Sequence, residues 1–252
     1  AGGRRHARAR RGGAGRRPLA QVQLLAPIPR PRRNLFCVGK NYRAHAHEIR
    51  SLGSGSGDTR DGVPTQPIIF TKATTCVIGP QARIPAWLDA THTVDSEGEL
   101  AVVIGQGGRG ITRAAAMGHV YGYTIVNDVT SRSLQARHHQ WFLGKSLDGF
   151  CPMGPALLTA DAVPDVGRLR LQTRVNDELR QDACVADLIF DIPTLIETLS
   201  QGMTLEPGDV IATGTPAGCA LTVPSPLRQR LAALLPEATK WKVFLKMQSK
   251  RS

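Results

Sequence analysis

Glu97 and Glu99 flank a glycine in DSEGELAVVIG (95–105), where a polar start gives way to an apolar run. In a strand, residues i and i+2 point to one face, so the two carboxylates would sit a few ångströms apart. Like charges so placed repel, and each raises the other's pKa unless a cation lies between them. The pair therefore reads as half of a metal site. Asp128, closing YGYTIVND, is the best third ligand. A hard divalent ion such as Mg²⁺ takes oxygen ligands in near-octahedral geometry and keeps several waters, so three carboxylates leave about half the positions open. The other reading puts Glu97 and Glu99 on a solvated edge, with Asp128 capping a turn in NDVTSRS.

Two nucleotide-like patterns lie close by. Gly105, Gly107 and Gly110 have the G-x-G-x-x-G spacing after a strand-like run, and Asp128 follows as an acid. The first strand of a dinucleotide fold is buried on both faces and uniformly apolar, whereas this one opens with two glutamates. LGKSLDG resembles a phosphate loop, but His139 stands where that loop needs its first glycine.

These residues must be positioned by a folded body. The 252-residue chain is long enough for a sizeable core, and no apolar run approaches the roughly 18–20 residues of a membrane span. The net charge of +12 is local: ten arginines lie within residues 1–33, which leaves 22 basic against 20 acidic residues elsewhere. Residues 1–23 form an Arg/Gly/Ala-rich tail without apolar periodicity. It reads as a disordered extension or leader, with an organelle presequence and a nucleic-acid arm as alternatives. The presequence lacks serine, and the arm lacks aromatic residues for base stacking, which disfavours a nucleic-acid partner. Localisation is accordingly expected to be cytoplasmic or mitochondrial. Five widely spaced cysteines without a C-x-x-C pair argue against a disulfide framework and for buried thiols in a reducing compartment.

Short strands mix with a few helices. NLFCVG, QPIIFTK and TCVIG have strand character, and NYRAHAHEIR has helical spacing. SLGSGSGDTRDGVP (51–64) reads as a flexible loop long enough to serve as a lid. LRLQTRV and ELRQDACV flank Asn176-Asp177, a hairpin signal. DIPTLIETLSQG is the clearest helix, with Asp191 as N-cap and Gly202 as terminator. Strands and helices do not alternate regularly, which predicts a β-rich α+β domain.

Six motifs in order carry a family resemblance: VGKNYRAHAHE, DSEGELAVVIG, YTIVNDVTSRSLQ, GKSLDGFCPMGP, VNDELRQ and LEPGDVIATGTPAG. Together they resemble the fumarylacetoacetate hydrolase superfamily, most closely its stand-alone bacterial and mitochondrial members. The resemblance divides the chain into the tail (1–23), a catalytic domain (24–222) and a divergent C-terminal segment (223–252). It implies a mixed β-sandwich roll and a homodimer. It also implies Mg²⁺ or Mn²⁺ and a small 2-oxo or 1,3-dioxo carboxylic acid as substrate. Matched motif by motif, Glu97, Glu99 and Asp128 become the metal ligands, His45 and Glu48 the H-x-x-E catalytic pair, and Lys145 the active-site lysine. Arg132, Gln135 and Thr215 match substrate-facing positions.

The implied reaction is hydrolysis of a C–C bond in acylpyruvate- or fumarylpyruvate-like diketo acids. His45 would take a proton from water and Glu48 would orient the imidazole, while Lys145 and the metal would stabilise an enolate. Alternatives on the same scaffold are an oxo-acid isomerase, tautomerase or oxaloacetate decarboxylase. A nicotinamide-dependent oxidoreductase and an inactive relative are alternatives of other kinds. His47, His138 and His139 read as bystanders. The sequence departs from the family at Ser96, usually aromatic, at Ser133, usually acidic, and at Asn176-Asp177, usually Asn-Gly. After Cys219, PLRQRLAALL looks helical, and KWKVFLKM is the one candidate for a replacement strand.

Overall fold

The computed structural model describes residues 17–51, 59–138, 140–219 and Thr239. The C-terminal helix and strand expectations, His139 and most of the basic tail lie outside the described residues. Five largely apolar strands and one short edge strand build a six-stranded mixed sheet. They are β1 (Leu35–Gly39), β2 (Ile68–Lys72), β3 (Gly98–Ile104), β4 (Val120–Asn127), β5 (Leu158–Thr159) and β8 (Val210–Ala212). Their order across the sheet is β5-β4-β3-β8-β1-β2.

Alternate residues feed two cores, as a period of two requires. Phe36, Val38, Leu100, Val102 and Ile211 face one core, shared with Leu195, Ile196 and Leu199 of a helix. Leu35, Cys37, Ala101, Val103 and Ala212 face the other, shared with Phe150, Cys151 and Met153. The central strands are thus covered on both sides, although β3 runs antiparallel to both β4 and β8. A dinucleotide sheet is parallel, so the glycine-rich turn after β3 has another purpose. A Cβ on Gly107 would lie 2.6 Å from the Leu205 carbonyl oxygen. That glycine permits close packing.

The helix on the first core, α4 (Ile192–Ser200), starts where expected: Asp191 accepts a hydrogen bond from the Thr194 N–H at 3.0 Å. The predicted hairpin joins β6 (Arg170–Val175) to β7 (Glu178–Cys184), with Asn176 and Asp177 at φ 49° and 65°. Of the expected loop and lid at 51–64, residues 52–58 lie outside the described residues and Ser51 ends a helix, and the remainder is a short hairpin. Thr59–Arg60 pairs with Val63–Pro64 around Asp61-Gly62, both at positive φ, and that Asp-Gly is itself a hairpin signal. All five cysteines are free; four are buried and Cys184 is exposed. No helix among the described residues is long and apolar enough to cross a membrane.

Three short helices complete the frame: α1 (Arg43–Ser51) after β1, then α2 (Arg132–Arg137) and α3 (Phe142–Lys145) after β4.

Candidate active site

Glu97 and Glu99 lie at the start of β3, and antiparallel pairing sets Gly98 opposite Asn127 at the end of β4. The Asp128 N–H donates to the Glu97 carbonyl oxygen at 2.8 Å, which fixes the third acid beside the first. One oxygen each of Glu97, Glu99 and Asp128 lies within 4.8 Å of the others, and all three residues are buried. The carboxylates of Glu97 and Glu99 thus converge in a buried cluster and do not lie on a solvated edge.

Three buried cations answer these charges. Lys145 Nζ donates to Glu97 Oε2 and Asp128 Oδ2, both at 2.6 Å. Arg132 donates to Glu97 Oε1 at 2.5 Å and to Asp95 Oδ2 at 2.7 Å. Lys72 Nζ lies 2.7 Å from Asp128 Oδ1 and donates to the carbonyls of Val129 and Lys145. Burial pushes the Glu97 carboxyl up, but Arg132, Lys145 and His45 together hold it well below the usual range. Burial lowers Lys145 as well, yet Asp128 and Glu97 outweigh it, so the side chain stays an ammonium.

Glu99 is the exception. It accepts a hydrogen bond from the Gly214 N–H at 2.8 Å. Burial, reinforced by Asp128 and Glu97, pushes its carboxyl well above the ordinary range. Asp128 Oδ1 is also incompletely satisfied. Lys72 approaches it closely, but off the hydrogen-bond direction, and this buried oxygen has no hydrogen-bond partner. A hard cation would supply what both lack. Three converging carboxylates form the oxygen donor set that Mg²⁺ or Mn²⁺ prefers, so the residues fit such an ion.

On α1, His45 Nδ1 and Glu48 Oε2 are 3.1 Å apart, one helical turn from each other, and His45 is buried. On α3, Gly144 lets Lys145 approach: a Cβ there would fall 2.5 Å from the Gln135 nitrogen on α2. One cavity is lined by His45, Glu97, Glu99, Arg132, Gln135, Lys145 and Thr215, with Val38, Ile49, Phe70 and Trp141 among its other walls. Of the nine predicted residues, seven face this space, while Asp128 and Glu48 stand behind Lys145 and His45 through the contacts above.

Two residues have duties beyond those implied. Arg132 also donates to Gln135 Oε1 at 3.0 Å, so its guanidinium braces Asp95, Glu97 and Gln135. The Thr215 hydroxyl donates to the Gly98 carbonyl at 2.9 Å and accepts from Gln181 Nε2 at 2.7 Å. Sequence reasoning missed Lys72, Asp95 and Gln181. Asp95 was visible as the first acid of an i, i+2, i+4 series, and Lys72 as a lysine ending an apolar strand. Gln181 closes the VNDELRQ motif, but nothing local in that motif tied its side chain to the site.

A β-rich mixed sheet whose central strand delivers a buried carboxylate cluster defines the class of protein. The model of the fumarylacetoacetate hydrolase C-terminal domain matches residues 34–247. The chain belongs to the fumarylacetoacetate hydrolase family. Oxaloacetate tautomerase YisK of Bacillus subtilis is 52% identical over 200 residues, covering 79% of this chain and 64% of that protein. The chain thus spans somewhat less than two thirds of that relative's length. Among solved structures, a fumarylacetoacetate hydrolase from Exiguobacterium antarcticum is 48% identical with a TM-score of 0.67, over 79% of this chain and 67% of that one. Maleylpyruvate hydrolase from Sphingobium sp. SYK-6, solved with manganese(II) and pyruvate, is 36% identical with a TM-score of 0.64, over 80% and 66%.

Proposed function

We propose that this protein is a Mg²⁺- or Mn²⁺-dependent enzyme that moves a proton between carbon and oxygen of a small 2-oxo carboxylic acid, a keto–enol tautomerase of oxaloacetate-like substrates. The observation that carries the reading is one cavity faced by Glu97, Glu99, His45 and Lys145, with Glu48 behind the imidazole. The 52% identical tautomerase supports placing proton transfer ahead of the C–C hydrolysis that the sequence motifs suggested first.

Glu97, Glu99 and Asp128 would hold the metal, which when bound supplies Lewis-acid polarisation of the 2-oxo group. His45 takes the proton from the carbon next to that carbonyl, and Glu48 stabilises the imidazolium that forms. The Lys145 ammonium offsets the negative charge developing on the enol oxygen. His45 then returns its proton to that oxygen, which completes the exchange without consuming water.

The second reading is hydrolysis of acylpyruvates, favoured by the likeness to maleylpyruvate hydrolase. It uses the same residues, with His45 deprotonating a water instead. The family resemblance supports a homodimer, which light scattering would test.

The deciding experiment follows enol absorbance and products for oxaloacetate and a panel of acylpyruvates in Mn²⁺. Accelerated enol–keto exchange without new carboxylic acids is expected. Stoichiometric pyruvate plus a second acid would move the function to hydrolysis, and inertness toward the whole panel would overturn both readings.

A further inference from the structure

A second convergence of ligating groups includes the imidazole of His45. One atom each of His45, Glu48 and Cys219 lies within 4.8 Å of the others, and His45 and Cys219 are buried. Helix α1 contributes the first two, and the loop after β8 contributes the thiol. That loop is tightly held. Gly218 has φ 100°, and a Cβ on it would fall 1.9 Å from the Arg180 carbonyl oxygen. The Gly218 N–H points to Glu48 Oε2 at 3.4 Å, and Gln181 Nε2 lies 3.6 Å from Cys219 Sγ. The backbone therefore presents the thiol to the His45–Glu48 pair.

We propose that His45, Glu48 and Cys219 form a second metal site, selective for thiophilic ions such as Zn²⁺, whose occupation switches the enzyme off. One sulfur, one imidazole nitrogen, one carboxylate oxygen and a water make the four-coordinate set that zinc favours, at about 2.0–2.3 Å from the ion. The two sites sort ions by softness, because Glu97, Glu99 and Asp128 offer only hard oxygens. Binding forms a Zn–S bond as the thiol proton leaves to solvent, and no electron is transferred. A bound ion occupies the imidazole lone pair and the Glu48 carboxylate, so inhibition does not require loss of Mg²⁺ or Mn²⁺. This inhibitory consequence rests on the proposed function; the binding site itself does not.

The test titrates Co²⁺, as a coloured stand-in for zinc, into the protein in saturating Mg²⁺ and without substrate. A thiolate-to-cobalt charge-transfer band is expected at one equivalent, lost when Zn²⁺ competes. Cys184→Ser, at the exposed thiol, keeps the band. Cys219→Ser abolishes it and weakens zinc inhibition at least tenfold. A band that survives Cys219→Ser, or none in the unaltered protein, overturns the site. Should Cys219→Ser fail to fold, zinc-edge X-ray absorption of the unaltered protein decides: one sulfur in the zinc shell is expected, and a shell of nitrogen and oxygen alone overturns the proposal. Inertness toward every oxo-acid would sink the functional reading and leave the cobalt band intact, so the two failures are distinguishable.

Discussion

Gln181 and Gly98 grip each other across two elements. The Gly98 N–H donates to Gln181 Oε1 at 3.0 Å, and Gln181 Nε2 donates to Thr215 Oγ1 and the Pro216 carbonyl at 2.7 and 2.8 Å. Gly98 is the residue between the two glutamates, and a Cβ on it would lie 2.2 Å from Thr173 Oγ1. The β6–β7 hairpin thus clamps the backbone that aims Glu97 and Glu99.

Removing the clamp is expected to loosen the carboxylates. Gln181→Leu leaves the buried Gly98 N–H without its acceptor, at a cost of about 1–3 kcal/mol. Calorimetry should show a lower Tm and a weaker affinity for Mn²⁺. Unchanged metal affinity would reduce Gln181 to a packing role.

Metal and pH are expected to be linked through Glu99. Its raised folded pKa means the metal-free folded state keeps a proton that the unfolded chain releases. Metal-free stability should therefore fall as pH climbs from the ordinary glutamate value of about 4.3 toward the folded value of Glu99. Glu97 has the opposite sign: its depressed pKa gives stability above the ordinary value that is lost as pH falls. Urea titrations across pH check both slopes. Saturating Mn²⁺ or Glu99→Gln should flatten the first, and persistence of that slope in Glu99→Gln would assign it elsewhere.

Lys145→Met separates charge balance from chemistry. The change leaves Glu97 and Asp128 short of a cation, and breaking such buried pairs costs about 3–5 kcal/mol. Tm should drop far more in a chelator than in saturating Mn²⁺, which restores positive charge, while turnover stays low in both. Turnover equal to that of the unaltered protein would remove Lys145 from the mechanism.

His45→Ala is expected to slow turnover by about 10²–10⁴-fold, the usual loss for a general base. Mn²⁺ affinity should stay nearly constant, since Glu97, Glu99 and Asp128 belong to β3, β4 and their ends. Glu48→Gln should cause a smaller loss. Steady-state kinetics beside titration calorimetry checks this, and equal activity in His45→Ala would dismiss the proton-transfer role.

The parts legible in sequence were those with a local signature. Glu97 and Glu99 announced themselves because a period of two puts both on one face, and Asp191 and Asn176-Asp177 marked a helix start and a hairpin by their own chemistry. Lys72 left a weaker trace because its partners, Val129 and Lys145, are more than 50 residues away in sequence. Arg132 illustrates the same limit from the other side. Its motif implied a substrate contact, but only the pairing of Val94–Asp95 with Thr130–Ser131 brings Asp95 to its guanidinium.

The cavity has two unlike walls. On one, Glu97, Arg132 and Lys145 belong to a continuous network in which altering a single charge disturbs its neighbours. On the other, Val38, Ile49, Phe70 and Trp141 are held by packing, including the edge-to-face contact of Phe70 with Trp141 at 5.2 Å between ring centres. Phe70 also lies beneath Lys145, whose Nζ is 5.1 Å from its ring centre, so Val38, Ile49 and Trp141 are the positions where substitution can reshape the space for a substrate's tail while leaving the charges in place. Under the proposed function, preference among oxo-acids is then free to drift at those three positions over evolutionary time, while the charged network beside them stays fixed.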